Sequence, residues 1–571
     1  MKTSHNTNSE LSAWMRRGTP WVWLNAGAVA ICIVMVVGLL ILLTVRGMSH
    51  FWPRDVLQAD YAPPTSSGEL LTTQVIGEFV ESEMVIAAQI ASSGIPVDET
   101  QDFYERQLLK LGNRDLTGAD FTWALSDFVK DVEYPLEVVA MERREWGNFY
   151  GFLHAIHQDG EPIAFSGEAL DIEVNRWFEF NRRLERALDI RDDIYVIENE
   201  EIGLINYAME RLRLRERRLE LDGEESPETT SEIAARRQEL DAEYGVLQSK
   251  LMALYETVNR DSAIFLAANE QEIEIVFADI VRAYKPNQMG AFSKLLTYFS
   301  KLGEFMTAEP REANTEGGIF PAIFGTVMMV MLMSVFVTPF GVVAAVYLRE
   351  YARQGFVTRA IRIAVNNLAG VPSIVYGVFG LGFFIYIIGA EIDQVFYPEA
   401  LPAPTFGTPG LLWASLTLAL LTVPVVIVAT EEGLARIPRS VREGSLALGA
   451  TKFETLWRVV LPMASPAMMT GLILAVARAA GEVAPLMLVG VVKLAPSLPL
   501  DGNYPYLHLE QKFMHLGFHI YDVGFQSPNI EAARPLVFAT ALLLVIVIAS
   551  LNLTAVALRN HLREKYKALD V

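Results

Sequence analysis

Cysteine is nearly absent from this sequence of 571 residues, which contains only Cys32, within an apolar run. A disulfide framework and a multi-cysteine metal site are therefore excluded. The eight histidines are scattered without an H-E-x-x-H zinc pattern, so we expect no metal site. The pattern G-x-x-x-x-G-K-[ST] is also missing, so the chain cannot hydrolyse ATP as a P-loop protein does. No Ser/His/Asp arrangement has usable spacing, and we expect a chain that is not an enzyme and binds no cofactor itself.

Basic residues are outnumbered, since 47 lysines and arginines face 68 aspartates and glutamates, for a net charge of −21. That charge argues against nucleic acid as a partner. The imbalance is local, because residues 46–318 contain 52 of the acidic residues but only 27 of the basic ones. The chain is also 51% hydrophobic, with a mean hydropathy of +0.26. These values indicate a membrane protein that carries an acidic soluble insert.

Six apolar runs are long enough to cross a hydrocarbon core of about 30 Å. The first run, 21–45, follows a polar tail (1–20) and begins with Trp21 and Trp23, which suit the membrane interface. No A-x-A site closes this run, so we expect a retained transmembrane helix rather than a signal peptide. The other five runs are 317–348, 368–388, 411–430, 468–489 and 536–558.

Arginine and lysine are concentrated after the second and fourth runs and in the C-terminal tail (559–571), whereas residues 389–410 contain neither. Positive loops favour the cytoplasmic side of a membrane. We therefore predict that both termini are cytoplasmic and that residues 46–318 lie in the periplasm. The expected location is the bacterial inner membrane, with membrane lipids around the spans.

The acidic insert divides by pattern into two parts. Residues 46–170 mix short helical and extended patterns and predict a small α+β region, with a hairpin around residues 158–160. Residues 171–304 predict a helical hairpin and a linker. One arm of the hairpin carries a coiled-coil-like seam of Leu240, Tyr244, Leu247, Leu251, Leu254 and Val258. Whether this hairpin is a solvated strut or a docking surface stays open.

The predicted fold is an all-α polytopic membrane protein of six transmembrane helices with an inserted soluble α+β and helical-hairpin region. Residues 305–558 form its membrane core and contain the last five helices. Gly and Pro recur within these runs, as helix contacts and bends in a membrane bundle require.

A polar segment, residues 431–462, joins the fourth run to the fifth. Two pairs have the spacing of a capping box: Ser440 with Glu443, and Thr451 with Glu454. Gly449 lies where a left-handed helix end is expected, and Pro462 is predicted to end the second short helix. The turn presents a small apolar tip made of Ala447, Leu448, Ala450 and Phe453. Such a tip could dock in a groove of another protein or lie on lipid headgroups.

The fifth run, 468–489, carries two charged residues near its centre. Arg478 and Glu482 are four residues apart and are predicted to share one helical face. A charge at that depth costs at least a few kcal/mol, so it should face a polar cavity or a partner. A guanidinium can hold an oxyanion through two parallel hydrogen bonds, although a structural ion pair between helices is the other reading. Gly481, beside them, would allow close helix approach.

The segment between the runs resembles the EAA loop of bacterial ABC importer permeases, whose pattern is E-A-A-x3-G-x9-I-x-L-P. The fixed positions are met by Glu443, Gly449, Leu461 and Pro462. Gly444 and Ser445 replace the two alanines, and Val459 replaces the isoleucine. The resemblance implies that this loop inserts into a separate ATPase subunit, and that the turn Gly449, Ala450 and Thr451 makes the contact.

A wider resemblance covers the first run and residues 305–565, where four segments are similar to phosphate ABC transporter permeases of the PstA type. These segments are 317–326, 367–382, 431–452 and 477–486. The resemblance implies half of a phosphate pathway, completed by a sister permease, most often as a heterodimer. It also implies an ATPase subunit dimer that uses ATP, and a periplasmic phosphate-binding protein. Arg478, Gly481 and Glu482 fall within the family motif and are therefore expected in the substrate path.

The large insert departs from that family, in which most members have a short loop at this place. A permease for another oxyanion, such as molybdate or sulfate, would share the EAA loop and stays an alternative. A membrane sensor of phosphate status is a second alternative, although six spans and a short C-terminal tail do not favour it.

Overall fold

The structure is a computed structural model that describes residues 18–63, 72–92, 102–165, 169–527 and 530–567. The predicted cytoplasmic tail falls mostly on residues 1–17, outside the described residues, as does the end of the C-terminal tail from residue 568.

The described residues contain six helices that are long and apolar enough to cross a membrane. They are Trp21–Phe51, Phe320–Tyr351, Ser373–Phe396, Leu411–Arg436, Lys452–Ala480 and Ala533–His561, and we number them spans one to six. The number of spans agrees with the sequence. Span five differs in position, since it begins and ends earlier than the predicted 468–489.

Helix α1 (Thr19–Met48) forms span one and leads into the first sheet of the insert. This sheet is antiparallel, with the order β4-β3-β2-β1-β5. Its strands are β1 (Val56–Tyr61), β2 (Thr73–Ile86), β3 (Phe103–Lys110), β4 (Phe121–Leu125) and β5 (Val129–Glu133). Two short helices lie in its connections: α2 (Ala87–Ser92) and α3 (Arg114–Thr117). One sheet face buries Leu57, Ala59, Val75, Leu109 and Ala124.

The second sheet has the order β10-β9-β7-β6-β11, with β8 added to β7. Its strands are β6 (Val139–Arg143), β7 (Asn148–Gln158), β8 (Glu161–Pro162), β9 (Asp261–Leu266), β10 (Glu272–Val276) and β11 (Ile280–Tyr284). The predicted hairpin is the pair β7–β8, turned by Asp159 and Gly160, which both have positive φ. The predicted boundary at residue 170 is wrong, because β9 pairs with β7 and β11 with β6. Strands 100 residues apart close one sheet, which local patterns cannot reveal.

The helical hairpin is therefore an excursion between β8 and β9. It consists of α4 (Ala169–Tyr195), a π turn (Val196–Glu201), α5 (Ile202–Asp222) and the returning α6 (Pro227–Val258). The first arm, 54 residues by these bounds, is about 80 Å long. Ile205, Ile233 and Leu240 are buried along the arms, and Arg237 bridges to Glu216 at 2.8 Å. Val258 is buried in the core that α4 shares with the second sheet. Tyr244, predicted in the seam, is 39% exposed.

The insert returns to the membrane through α7 (Ala291–Thr307) and a small hairpin, β12 (Pro310–Arg311) with β13 (Glu316–Gly317). The core helices follow: α8 (Phe320–Val346), α9 (Phe356–Leu368), α10 (Ser373–Phe379), α11 (Ala390–Phe396), α12 (Leu411–Arg436), α13 (Arg439–Ala447), α14 (Lys452–Thr455), α15 (Leu461–Ala480), α16 (Leu486–Val489), α17 (Leu516–Phe525) and α18 (Ile530–Lys567). Helix α12 is the centre of the bundle, and its Leu411, Trp413, Leu418 and Leu421 are buried among α8, α10 and α15.

The helical hairpin touches the membrane core at the ends of the spans that lie on the same side as the insert, which we call the insert side. The Arg218 guanidinium in α5 pairs with the buried Glu399 carboxylate, in the connection between spans three and four. The Tyr207 hydroxyl donates to the backbone carbonyl of Tyr504, in the connection between spans five and six. The long first arm is therefore fixed across two connections of the core.

Candidate functional site

The segment between spans four and five folds into two short helices, α13 and α14, with a sharp turn between them. At the turn, the Gly449 N–H donates to the carbonyl of Leu446, and the Ala450 N–H donates to that of Ser445. This is a Schellman helix end, which needs a left-handed residue, and Gly449 has φ +88°. The prediction for Gly449 is confirmed.

The capping of the two helices is only partly as predicted. Thr451 and Glu454 form a capping box, in which each side chain binds the other residue's backbone N–H. Ser440 and Glu443 do not, because α13 already begins at Arg439 after Pro438, without a side-chain cap. Pro438 holds the N-cap position, and its side chain has no oxygen that could accept from the N–H groups of the first turn. Glu443 and Gly444 are instead exposed within α13.

Hydrogen bonds attach the turn to the end of span two. Arg442 donates to the Glu350 carboxylate at 2.9 Å and to the carbonyl of Ile437 at 2.8 Å. The Lys452 ammonium donates to the Glu350 carbonyl at 2.6 Å. Since Arg442 and Glu350 are both mostly buried, their pair fixes how the turn leaves the membrane core.

The tip of the turn is apolar and points away from the chain. Leu448 is 91% exposed, and the rings of Phe453 and Trp457 stack at 6.3 Å while both stay mostly exposed. Leu448 and Phe453 were predicted at this tip, but Trp457 was not. Its position four residues after Phe453, on the same helical face, could have identified it.

The predicted helix end at Pro462 is wrong. Helix α14, a π segment (Leu456–Val460) and α15 continue as one span from Lys452 to Ala480, with Leu461 and Pro462 half-buried inside it. Proline removes the N–H that would bind the carbonyl four residues earlier. A π turn just before Pro462 shifts the bonding to i→i+5, which leaves the helix unbroken.

Span five ends instead at Ala480, so the prediction that Arg478 and Glu482 share the middle of a helix is wrong. Arg478 lies in the last turn of α15, and Glu482 lies in the break that precedes α16. Pro485 contributes to the break, because a continuous helix would need an N–H at residue 485 for the Gly481 carbonyl, and the proline ring would clash with that carbonyl. At Gly481 a Cβ would meet only the Arg478 carbonyl, at 3.9 Å, so the expected close helix approach is absent there.

The break still brings the two charges together. Arg478 Nε lies 3.8 Å from Glu482 Oε1, and the side chains are 32% and 22% exposed. That distance is an ion pair but too long for a hydrogen bond. Among the described residues we find no hydrogen bond from the Arg478 guanidinium. The pair is therefore loose and open on one side.

Helix packing places this pair at mid-depth in the core. Span five runs antiparallel to α12, with Gly471 against Val426 and Ala429. Arg478 is seven residues further, or about 10 Å along the axis, which brings it level with the middle of α12. The break also packs closely on span three, where Gly377 lies against Pro485. A partly exposed guanidinium at half the membrane depth can meet an anion that reaches this level.

The comparisons with known proteins agree with this architecture. Residues 337–567 match the family described as "Binding-protein-dependent transport system inner membrane component". "Phosphate transport system permease protein PstA 1" of Mycobacterium tuberculosis (strain CDC 1551 / Oshkosh) is 36% identical over 247 residues, which cover 43% of this chain and 71% of that protein. "Probable phosphate transport system permease protein PstA" of Methanocaldococcus jannaschii is 30% identical over 253 residues, covering 44% and 79%.

Among solved structures, the match to the inward-facing MetNI methionine ABC transporter covers 42% of this chain and 94% of the matched chain, at 19% identity and a TM-score of 0.32. That score is low, so the assignment rests on the sequence relatives. The chain belongs to the PstA family of phosphate transport system permease proteins, inner-membrane components of binding-protein-dependent ABC transport systems.

Proposed function

We propose that this chain is the transmembrane permease subunit of an ATP-driven importer of inorganic phosphate. The observation that carries the proposal is the loose Arg478–Glu482 pair, 3.8 Å apart and partly exposed at mid-depth in the core. The names of its relatives support phosphate over molybdate or sulfate as the transported anion.

The chemistry of the pair suits a site that binds an anion and releases it. Phosphate at neutral pH carries one or two negative charges, and a guanidinium meets two of its oxygens in a planar fork without losing its own proton. Glu482 holds Arg478 when no substrate is present and gives it up to the anion. Because no hydrogen bond locks the two, the exchange requires little rearrangement.

The polar turn between α13 and α14 is the part that a separate ATPase would hold. Its support is the exposed apolar tip of Leu448, Phe453 and Trp457, attached to the core through Arg442 and Glu350. The contact includes Gly449, Ala450 and Thr451 at the turn, with Glu443, Gly444 and Ser445 on α13. Movement of the tip reaches Arg478 through one continuous helix.

The partners and topology follow from this role. The chain supplies half of a pathway, a sister permease supplies the other half in a heterodimer, and an ATPase subunit dimer uses ATP on the cytoplasmic side. A periplasmic phosphate-binding protein delivers the anion. Both termini are cytoplasmic and residues 46–318 are periplasmic, so the insert side of the core is the outer one.

Uptake of radiolabelled phosphate into membrane vesicles of verified orientation tests the substrate assignment. Arg478→Ala should abolish ATP-dependent uptake while the complex still purifies intact, and Arg478→Lys should retain part of it, since charge remains but the planar fork is lost. Near-normal uptake by Arg478→Ala would refute the assignment. Inhibition of wild-type uptake by sulfate or molybdate at equal concentration to phosphate would favour another oxyanion.

The docking assignment has a separate test. Glu443→Lys reverses an exposed charge on α13, so it should release the ATPase from membranes without unfolding the core. Retention of the ATPase at wild-type levels would contradict a role of this face in docking.

A further inference from the structure

Helix α7 (Ala291–Thr307), which connects the insert to span two, has its charged side turned inward. The Lys301 ammonium binds the Glu142 carboxylate at 2.6 Å and the Tyr284 hydroxyl at 2.9 Å, both in the second sheet. Glu304 accepts from Arg282 of the same sheet at 2.8 Å. These polar groups are thus satisfied inside the insert, which is the reverse of an ordinary surface helix.

The opposite side of α7 is apolar and uncovered. We call this side the outer arc, and it comprises Phe292, Leu295, Leu296, Phe299, Gly303 and Met306. At 3.6 residues per turn these positions fall within about 100° of the helix circumference. Phe292 is 74% exposed, Leu296 58% and Phe299 57%. Contiguous apolar exposure of this kind marks a surface that meets a partner or a membrane.

The contacts of α7 place it beside the end of span one. Tyr298 contacts Met48 at 3.3 Å, near the end of α1, and its ring lies 6.0 Å from that of Trp52. Phe305 packs on Phe51 with ring centres 5.0 Å apart. The helix therefore lies at the depth at which span one leaves the membrane.

The most apolar stretch of span one faces outward and has no buried residue, whereas its end packs on span six, where Gly47 lies against Ala539. Its exposed apolar surface continues into Trp52, which is 42% exposed, and from there toward the outer arc. Aromatic residues at such a boundary suit the interface between hydrocarbon and headgroups.

We propose that α7 is an interfacial helix whose outer arc is immersed in the lipid leaflet on the insert side, so that the insert is anchored to the bilayer as well as to the spans. Amphipathic helices lie in this plane with their apolar face buried several ångströms below the headgroups. The ion pairs on the inner face then hold the two sheets directly above the membrane. This inference does not depend on which substrate is transported.

The single cysteine makes the test direct. Cys32→Ala provides a cysteine-free chain, to which Phe299→Cys is added and labelled with a nitroxide in the full-length protein in phospholipid nanodiscs. The matched control is Val246→Cys on α6, a residue that is 69% exposed on the returning arm of the helical hairpin. Collision rates are measured with oxygen, which concentrates in lipid, and with a nickel chelate, which stays in water.

The label at residue 299 should collide more often with oxygen than with the nickel chelate, and the label at residue 246 should show the reverse. Phe292→Cys, at the N-terminal end of the arc, should repeat the result for residue 299. Nickel access at 299 equal to that at 246 would overturn the proposal, because the arc would then face water. Protection from both reagents in the assembled complex would also overturn it, since the arc would then be covered by protein.

Discussion

The turn at Gly449 allows a test in which two glycines of one loop respond in opposite directions. Gly449 has φ +88° at the helix end, whereas Gly444 lies five residues earlier inside α13 with helical geometry. A Cβ added at either residue meets no atom within 4 Å in this chain. Substitution by alanine therefore changes backbone preference at both places and packing at neither.

The magnitudes follow from backbone energetics. Alanine in left-handed geometry costs about 1–2 kcal/mol, so Gly449→Ala should lower the population of the native turn by roughly 5- to 30-fold. In Gly444→Ala the substitution removes the entropic penalty of glycine in a helix and should stabilise α13 by about 0.5–1 kcal/mol. Gly449→Pro, which cannot adopt positive φ, should abolish the turn.

Hydrogen exchange of the loop amides in the permease without its ATPase measures these effects directly. The backbone amides of residues 449 and 450 should exchange faster with solvent in Gly449→Ala and slower in Gly444→Ala. Binding of the ATPase should weaken in the first variant by the same factor as the exchange increases. Equal exchange in both variants would refute the reasoning, because it would mean that positive φ at Gly449 does not hold the turn together.

Three further predictions concern the insert. Lys301→Met removes the hydrogen-bonded cation from the Glu142 carboxylate, which is only 16% exposed and keeps Arg282 at 3.7 Å, and should cost about 1–3 kcal/mol of stability in thermal unfolding, with partial recovery in the double variant that adds Glu142→Leu. Arg218→Ala removes the ion pair to buried Glu399, and faster hydrogen exchange in α5, with no change in the sheets, should reveal the released arm. Burial raises the pKa of Glu316 from 4.5 to about 7, so its neutral form favours the folded state; this contribution is complete below pH 4.5 and lost as pH rises through 7. Glu316→Gln should flatten that part of the stability profile, and an unchanged profile would contradict the assignment to Glu316.

The elements that the sequence predicts well are those determined by local chemistry. Span number follows from apolar length, and the turn at Gly449 follows from a backbone geometry that glycine adopts without cost. The capping box of Thr451 and Glu454 is likewise a relation between neighbours. Each of these features is decided within a few residues, so the pattern is sufficient evidence.

The features that the sequence does not predict depend on residues far apart or on a balance between local rules. The second sheet joins β7 to β9 across a helical hairpin of about 90 residues, and no local pattern marks that pairing. At Pro462 and Pro485 the same residue type has opposite outcomes. Pro462 follows a π turn whose i→i+5 hydrogen bonds do not need the missing proline N–H. Pro485 lies at the end of the break that begins at Gly481.

Under the proposed function, the positions of these two prolines determine where motion of an ATPase would become a change in access to the anion. Span five passes through Met463–Ala467 without interruption, although Pro466 lies in this stretch. From Phe453 to Arg478 it rises 25 residues, or about 38 Å, as one element. A displacement of the tip would therefore be transmitted to the guanidinium along an unbroken helix. The first interruption of the helix is the break from Gly481 to Pro485, which packs on span three. Under the proposed function, we expect relative movement of Arg478 and Glu482 across this break to open or close the pathway.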